Sequence, residues 1–595
     1  MSKKTKKYRN KPRNSGSIEN SKTTRLIVLT LLGIIGFGSV IVKLIIVQVF
    51  QHEKFSVVGT RHLKNKQELP AKRGTIFDRN GEKLAIEIIH YSLAVRPNEM
   101  INQSHTIRKL SEVTGFAISQ IRNKIKNDQS FAYLAHRLRP QTAHEIEKLK
   151  LNGIVLERKS SRYYPYGEHA GQIIGYCDYF NDARAGVESV YDSYLRGVPG
   201  YALFIRDNKG NRIPDLNYPV IQPIDGNDVV TTINVVYQNI LEDELKKTVS
   251  QHQAVNGAAI LLNVISGEVL ALANYPGFDP NTYHKFPVRN YRNIAISDQF
   301  EPGSTFKIVA LALMLEQLKF NLKTERIFCE NGKYKIYGQN LRDHKKFGNL
   351  TLQEVIENSS NIGMAKLASK FQAPLFYRYA RDFGFGTFTG IDLPAEASGI
   401  LHKPTDYQKT SIPYMSIGYE VAVTPLQIAC AYAAVANGGK LLKPYIVKKV
   451  VDKDGNVLLR NKPRVTRQVI NPAISRKMSL TLEGVVENGT GRSAAVKGLA
   501  IAGKTGTARK IEADKNGKNR YVSKYISSFA GFFPVDSPQY ALVILINEPK
   551  DEYYGSQVAA PAFSNISKRI IGIPFENELH LTEKAGLIDK ITSLW

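Results

Sequence analysis

The chain has 595 residues, more than one compact core accommodates, so two to four domains are expected. Its hydrophobic content of 43% is that of folded protein. The formal net charge of +28 suggests nucleic-acid binding, but much of the excess lies in residues 1–25. No helix-turn-helix, zinc-ligand or RNA-binding pattern follows, and we expect no nucleic-acid partner.

Residues 1–25 form a basic tail that we expect to stay in the cytoplasm. From Leu26 to Phe50 the chain is apolar apart from Lys43, and about 20 such residues cross a bilayer. The basic flank keeps the N-terminus inside by the positive-inside rule. A cleavable signal peptide has a shorter apolar region and a small-residue cleavage site. We therefore predict one uncleaved anchor in the inner membrane, with the chain after about residue 51 in the periplasm.

Residues 51–230 mix short alternating apolar runs with charged helical stretches such as Ala143–Leu151. Glycine and proline punctuate this part, and we find no internal repeat and no nucleophile-plus-base pattern in it. We interpret it as an elongated non-catalytic pedestal of the dimerisation type. The catalytic domain is then expected over residues 231–575, followed by a tail at 576–595.

The character of the sequence changes after Gly226. Two buried-type strands are predicted at Ala258–Asn263 and Glu268–Asn274, joined by the turn Val264–Gly267. Later segments are predicted as helices at Thr305–Gln317, Leu352–Ala368 and Pro425–Ala436, and as strands at Leu499–Lys510, Ile526–Phe533 and Tyr540–Asn547. Strands at both ends with helices between them predict an α+β fold, with one antiparallel sheet flanked by helices.

The strongest local signal for chemistry is the segment Glu301–Ala310, EPGSTFKIVA. Pro302-Gly303 interrupts the chain before an apolar helical run, which places Ser304 at or near a helix N-terminus. A spacing of three puts Ser304 and Lys307 on one face of that helix. A lysine can remove the serine proton when burial or a nearby cation lowers its pKa. Taken alone, this pair is more often a helix cap beside a surface lysine.

A second polar segment, Ser359-Ser360-Asn361, lies between the helical stretch Leu352–Glu357 and the apolar run Ile362–Ala368. Such a turn aims polar side chains into a cleft, where the Ser359 hydroxyl relays protons and the Asn361 amide holds a substrate amide. Without the other motifs it is an ordinary polar turn.

A third segment, Ala502–Ala508, reads AGKTGTA and places Lys504, Thr505, Gly506 and Thr507 on a strand. Lys504 is expected to attract a substrate carboxylate and to lower the pKa of the helical lysine by repulsion. Gly506 lets a substrate backbone lie against the strand. The ordered set on helix, loop and strand is far more specific than any one motif and predicts serine acyl transfer.

These residues resemble the motifs of the penicillin-binding proteins, and the similarity extends from about residue 43 to residue 573. Segments that look like boxes of the non-catalytic domain in class B members are Lys72–Gly81, Arg162–Pro165 with Gly167, and Gly186–Asp192. No glycosyltransferase-type domain, the mark of class A, precedes them. Segments similar to the division-specific branch, the FtsI type, are Lys504–Ile511, Tyr525–Pro534 and Asn547–Pro561.

The resemblance implies a peptidoglycan D,D-transpeptidase at the division septum. Ser304 then attacks the carbonyl between the two terminal D-alanines of a stem peptide, with Lys307 as its base. The leaving D-alanine is protonated through Ser359 and the lysine pair. An amine from a neighbouring stem peptide attacks the acyl-enzyme and forms the cross-link.

The same resemblance implies the binding roles. The oxyanion sits between the backbone N–H groups of Ser304 and Thr507, and the hydroxyls of Thr505 and Thr507 bind the substrate carboxylate beside Lys504. β-Lactams mimic the substrate and acylate the serine. A membrane-embedded glycosyltransferase and other division proteins are the expected partners, and no metal or organic cofactor is needed. Cys177, Cys329 and Cys430 are too few and too far apart for a disulfide framework or a zinc cluster.

Three alternatives remain at this stage. An elongation-specific transpeptidase of the same class would carry the same motifs. A catalytically silent division scaffold would keep the anchor and pedestal but would not need the complete set of site residues. A β-lactam hydrolase or sensor needs neither the pedestal nor the division-type segments.

Overall fold

The computed structural model describes residues 16–50, 64–125, 130–206, 212–214, 220–318, 321–513 and 519–573. Its α-helices are α1 (Gly16–Ile45), α2 (Gln103–Thr114), α3 (Ile118–Lys124), α4 (Pro140–Lys148), α5 (Gly171–Ile174), α6 (Gly186–Val190), α7 (Asp192–Leu195), α8 (Val235–Gln251), α9 (Ile294–Ser297), α10 (Lys307–Gln317), α11 (Leu352–Glu357), α12 (Asn361–Ala368), α13 (Ala373–Asp382), α14 (Ser411–Met415), α15 (Pro425–Ala436), α16 (Pro472–Glu487) and α17 (Ala559–Ile571).

Its strands are β1 (Lys64–Leu69), β2 (Ile76–Phe77), β3 (Lys83–Val95), β4 (Ala132–Leu138), β5 (Ile154–Tyr163), β6 (Gly200–Arg206), β7 (Arg212–Pro214), β8 (Asp228–Thr231), β9 (Asn256–Asn263), β10 (Val269–Tyr275), β11 (Arg326–Phe328), β12 (Lys333–Ile336), β13 (Gln339–Arg342), β14 (Asn349–Thr351), β15 (Ile400–Leu401), β16 (Val421–Ala422), β17 (Lys440–Leu442), β18 (Val447–Val451), β19 (Val457–Arg460), β20 (Val465–Gln468), β21 (Ala502–Ala513), β22 (Asn519–Phe533) and β23 (Tyr540–Asn547).

The chain divides into two compact units. The first is drawn from Met1–Pro70 and Pro199–Pro223 and contains α1 and the antiparallel sheet β1-β6-β7. Within α1 and its continuation, Arg25–Val49 is long and apolar enough to cross a membrane, and it is the one such helix in the described part of the chain. Its bounds lie within one residue of the predicted anchor at each end.

The second unit consists of Ala71–Val198 and Ile224–Trp595. It holds a sheet in the order β19-β18-β8-β2-β3-β4, with β5 also pairing with β3. Strand β8 is hydrogen-bonded to β2 on one side and to β18 on the other. One sheet therefore crosses the predicted domain boundary at residue 230, and the division into pedestal and catalytic domain stays a proposal from the sequence.

A buried ion cluster lies in this unit. Glu188 accepts hydrogen bonds from Arg73 Nε at 2.7 Å and from Arg162 Nε at 2.5 Å, and all three side chains are almost fully buried. Burial works against ionisation of Glu188, but the two guanidinium groups outweigh it and hold the carboxyl pKa below its usual value. These charges link three segments that lie far apart in sequence.

The predicted antiparallel sheet is confirmed, and it has five strands in the order β10-β9-β23-β22-β21. Strand β23 pairs with β9 along its whole length, from Tyr540 opposite Asn263 to Asn547 opposite Asn256. Strands from the beginning and the end of the catalytic part are therefore neighbours. Strand β21, which carries the Lys-Thr-Gly motif, is at one edge of this sheet.

Both faces of the five-stranded sheet are buried. Alternate residues of β9 belong to different cores, with Ala258, Ile260 and Leu262 in one and Ala259 and Leu261 in the other. The first core is completed by α10, α15 and α16, and the second by α8 and α17. The sequence prediction of an α+β fold with helices on both faces of the sheet is thus confirmed.

The helical pattern predicted over Leu352–Ala368 is interrupted at the predicted polar turn and forms two helices, α11 and α12. Ser359 between them has a left-handed backbone with φ 56°. Strand β21 begins three residues later than predicted, at Ala502. It also ends three residues later, because its hairpin with β22 continues to the pair Ala513–Asn519.

Candidate active site

Ser304 lies on a single 3-10 turn, Gly303–Phe306, which leads directly into α10. Gly303 has φ 56°, and its N–H donates to the carbonyl of Gly418 at 3.1 Å. The Thr305 hydroxyl donates to Pro302 O at 2.9 Å and closes the turn. The serine is therefore held at the start of a buried helix, as predicted, with its side chain half-buried.

Lys307 is the first residue of α10 and is only 1% exposed. Its Nζ donates to Ser359 O at 2.7 Å, to Asn361 Oδ1 at 2.9 Å and to Ser359 Oγ at 3.2 Å. The Ser359 hydroxyl in turn hydrogen-bonds to Ser304 Oγ at 3.0 Å. Among these described side chains, the lysine reaches the nucleophile through the Ser359 hydroxyl and not by a direct hydrogen bond.

Burial lowers the pKa of Lys307 to about 7, while the negative charge of Asp343 opposes this shift. The sequence analysis named burial or a nearby cation as possible causes, with Lys504 as the cation, and burial is the larger cause in the structure. Repulsion between like charges is mutual, and burial together with the charge of Lys307 lowers the pKa of Lys504 well below its ordinary value. An uncharged amine at position 307 is therefore accessible near neutral pH.

Asp343 was not found from the sequence, although it holds the turn 359–361 in place. Its carboxylate accepts the Ser360 hydroxyl at 2.7 Å and the backbone N–H groups of Asn361 and Ile362 at 2.6 and 3.0 Å. These bonds cap the N-terminus of α12, where a carboxylate is favoured. A single aspartate between a hairpin and a lysine-rich loop gave no recognisable signal.

Lys504 is fully buried on β21, and its partners among the described residues are neutral and distant. Its Nζ lies 3.4 Å from Thr490 Oγ1 and from Thr505 Oγ1, and 3.5 Å from Thr505 O. The Thr505 hydroxyl donates to Thr490 Oγ1 at 3.1 Å. Thr490 is a second residue that the sequence analysis missed, because it lies alone in the loop after α16. The ammonium group of Lys504 can still bind an anion, since no carboxylate among the described residues lies within ion-pair distance of it.

Gly506 and Thr507 lie next to the nucleophile turn. A Cβ at Gly506 would meet Ser528 Oγ at 2.3 Å and Pro302 O at 3.0 Å. The glycine is thus required by close packing against Ser528 of β22 and against the turn, whereas the sequence suggested close approach of a substrate. The Thr507 hydroxyl accepts the N–H of Gly555 at 2.9 Å, which leaves its own proton free to be donated.

The eight predicted site residues therefore form two adjoining groups. Ser304, Lys307, Ser359 and Asn361 share one hydrogen-bonded chain, and the strand residues Lys504 to Thr507 lie beside it. The two groups meet where the would-be Cβ of Gly303 lies 3.3 Å from Thr507 O. Their arrangement fits a nucleophile, a buried base and an anion-binding strand around one cleft.

The sequence matches the family described as penicillin binding protein transpeptidase domain over residues 257–568, and the penicillin-binding protein dimerisation domain over residues 68–231. It is 33% identical to stage V sporulation protein D of Bacillus subtilis, covering 91% of this chain and 85% of the relative. It is 33% identical to peptidoglycan D,D-transpeptidase FtsI of Escherichia coli, covering 84% of this chain and 83% of the relative.

Solved structures show the same fold. Penicillin binding protein 3 of Mycobacterium tuberculosis, in complex with aztreonam, has a TM-score of 0.66 at 25% identity and covers 85% of this chain and 96% of that chain. Penicillin binding protein 2X of Streptococcus thermophilus has a TM-score of 0.75 at 23% identity, and the match covers 88% of this chain and 82% of that chain. Together with the two family domains in order, these findings confirm the resemblance: the chain belongs to the class B penicillin-binding proteins.

Proposed function

We propose that this protein is a peptidoglycan D,D-transpeptidase that cross-links stem peptides through an acyl-enzyme on Ser304, at the division septum. The observation that carries the proposal is the hydrogen-bonded path from Ser304 through Ser359 to the buried Lys307. The match to the transpeptidase family and the identity to division-specific relatives support it.

In the first step Ser304 Oγ attacks the carbonyl carbon between the two terminal D-alanines. Its proton passes to the Ser359 hydroxyl, while the Ser359 proton passes to the neutral amine of Lys307. Hydroxyl hydrogens rotate, so the existing bonds can reverse direction without moving a heavy atom. The two carbonyl oxygens of residues 359 and 360 then stabilise the ammonium that forms.

The tetrahedral oxyanion is proposed to lie between the N–H groups of Ser304 and Thr507, and losing one such donor typically costs about 3 kcal/mol of barrier. Collapse breaks the peptide C–N bond, and the proton on Lys307 returns through Ser359 to the leaving D-alanine amine. In the second step the amine of a neighbouring stem peptide attacks the ester carbonyl, and the same path takes up its proton and restores Ser304.

The terminal carboxylate of the stem peptide is proposed to bind beside Lys504. Thr507 has a hydroxyl proton to donate there, Thr505 can donate one by rotating away from Thr490 Oγ1, and Thr490 completes the set. Lys504 has weak neutral partners at 3.4 Å or more, so a carboxylate would restore the charged form that burial disfavours. β-Lactams carry the corresponding carboxylate and would acylate the same serine.

The candidate span and the relatives fit a single-pass protein of the inner membrane. We propose that the catalytic part lies in the periplasm, because the basic residues precede the span. A membrane-embedded glycosyltransferase and other division proteins are the proposed partners. Protease added to spheroplasts should digest the part after the span, and protection of that part would contradict this orientation.

The acyl-enzyme is tested by labelling the full chain in detergent with a fluorescent penicillin. We expect one slowly released adduct on Ser304, no adduct in Ser304→Ala, and normal labelling in the control Ser369→Ala, which removes an exposed hydroxyl. Folded wild-type protein without an adduct would contradict the proposed function. Rapid turnover of the penicillin would indicate a hydrolase.

A further inference from the structure

A patch of positive charge lies beside the turn that holds Ser359 and Asn361. Between residues 333 and 346, the hairpin β12–β13 and the loop after it carry five exposed cations and one carboxylate, that of Asp343. The cations form what we call the basic rim: Lys333, Lys335, Arg342, Lys345 and Lys346.

The rim is held together although its charges repel each other. Lys333 pairs directly with Arg342 across the hairpin, and like charges in that position destabilise a pair of strands. The N–H of Asp343 donates to Gly332 O at 3.2 Å, and a Cβ at Gly332 would lie 2.7 Å from Lys345 O. The loop therefore packs against the base of the hairpin and adds its charges to the same patch.

Nearby carboxylates do not neutralise the rim. Both oxygens of Asp343 are occupied by the turn at 360–362, and Glu330 forms its ion pair with Lys366. Within the part of the chain that the structure describes, no carboxylate lies at ion-pair distance from a rim side chain. The positive potential of the rim is thus directed to solvent and to the cleft.

The rim is connected to the catalytic lysines. Arg342 O accepts a hydrogen bond from Asn361 Nδ2 at 3.2 Å, and Asn361 Oδ1 is a partner of Lys307. His344 is the residue before Lys345 of the rim, and desolvation together with the charges of Lys345, Lys307 and Lys504 lowers its pKa, while the charge of Asp343 opposes this shift. The strand that carries Arg342 is therefore hydrogen-bonded to the turn that holds the catalytic lysine, which places the basic rim beside the cleft.

We propose that the basic rim selects the stem peptide by charge, attracting peptides whose side-chain carboxyl groups are free acids over peptides in which these groups are amidated. This inference rests on the proposed function, since a peptide must enter the cleft beside the rim. Carboxylates are the anionic groups that such a peptide carries. A phosphate of a wall polymer offers similar charge and is separated in the test below.

The test compares two synthetic stem peptides of one sequence, ending in D-alanyl-D-alanine, with side-chain carboxyl groups either free or amidated. The readout is the second-order rate constant of acyl-enzyme formation on the full chain, at low and at high salt. The rim variant changes four cations to glutamine: Lys333, Lys335, Lys345 and Lys346. A control of equal charge changes four exposed cations of other elements to glutamine: Lys440, Lys462, Arg464 and Lys477.

In the wild type we expect the free-acid peptide to acylate about tenfold faster at low salt, because charge of opposite sign at a cleft raises association rates by at least this factor. High salt should reduce the ratio of the two rate constants, that of the free-acid peptide over that of the amidated peptide. The rim variant should bring the ratio close to one, and the control should keep it. Because the rim side chains are exposed and Lys333 faces a like charge across the hairpin, the variant should not have a lower melting temperature than the wild type.

Equal ratios in the wild type, the rim variant and the control would overturn the proposal. So would a wild-type ratio of one combined with rim-dependent inhibition by inorganic polyphosphate, which would assign the rim to phosphate. If neither peptide nor penicillin acylates the wild type, the proposed function itself fails, and charge selection fails with it. Penicillin labelling without a difference between the peptides contradicts only the rim proposal.

Discussion

At the scale of single residues, the reactivity proposed for Ser304 depends on a third side chain. Ser359 Oγ lies 3.0 Å from Ser304 Oγ and 3.2 Å from Lys307 Nζ, so it is placed to pass a proton between them. Its backbone has φ 56°, which a non-glycine residue adopts at some cost. The strain is compatible with a position where the direction of one hydroxyl matters more than local stability.

The first prediction concerns pH. Since the pKa of Lys307 is lowered to about 7, its neutral form grows as pH rises through that value. The rate of penicillin acylation should therefore rise with pH and level off above about pH 8. Stopped-flow acylation between pH 5.5 and 9 measures the midpoint. Asp343→Asn removes the charge that raises the pKa and should move the midpoint to lower pH, whereas a flat profile would contradict Lys307 as the base.

The second prediction concerns the relay. Ser359→Ala removes the hydroxyl between nucleophile and base and should slow acylation by about 10²–10⁴-fold. Ser359→Gly lacks the same hydroxyl but accepts the left-handed backbone without strain, so it should be equally slow and more stable than the alanine variant. Acylation rates and melting temperatures of the pair separate the two effects. Wild-type rates in either variant would exclude the relay.

At the scale of elements, the end of α16 positions Thr490 beside Lys504. The N–H of Thr490 donates to Glu357 O of α11 at 3.0 Å. This approach needs a glycine before the threonine, because a Cβ at Gly489 would lie 2.2 Å from Glu357 O. Two helices that are distant in sequence thus bring a hydroxyl to the anion-binding strand.

The third prediction follows from this contact. Gly489→Ala should push the end of α16 away from α11, lower stability by about 1–3 kcal/mol, and slow acylation by moving Thr490. Gly348→Ala is the control, since nothing lies within 4 Å of a Cβ there. Urea unfolding and penicillin acylation measure both effects. Unchanged acylation in a destabilised variant would show that Thr490 has no part in binding.

At the scale of the whole molecule, the compact unit formed by Ala71–Val198 and Ile224–Trp595 is tied together by a shared sheet and by the buried charges around Glu188. Arg162 pairs with Glu188 in this cluster, whereas Arg73 pairs with both Glu188 and Asp192. Removing one partner of a buried ion pair typically costs about 3–5 kcal/mol, because the remaining charge has no compensation.

The fourth prediction tests this coupling. Glu188→Gln should lower the melting temperature of the whole unit, and loss of penicillin labelling on heating should follow the same transition. The control Glu147→Gln replaces an exposed carboxylate and should leave the transition unchanged. Because the pKa of Glu188 is lowered, its contribution is present near neutral pH and is lost as pH falls through the lowered pKa. A separate early transition that spares labelling would contradict a shared unit.

Local patterns in the sequence determined the anchor, the helix α15 and the strand β23, whose predicted bounds agree with the structure to within a residue. These elements are long, strongly apolar runs or carry their own end signals, such as the Thr424 cap of α15. The three motifs and their order likewise depend only on neighbours along the chain. For this reason the sequence was sufficient to predict the family and the acyl-transfer chemistry.

Only the tertiary structure decided how those motifs meet. The direction of the Ser359 hydroxyl and the capping role of Asp343 depend on a hairpin folded against α12, and Thr490 reaches Lys504 because α16 packs on α11. The sequence named burial or a nearby cation as the cause of a lowered pKa at Lys307, and the folded chain makes burial the larger of the two. Contacts between segments far apart in sequence have no periodicity of their own, so their geometry appears only when the chain is folded.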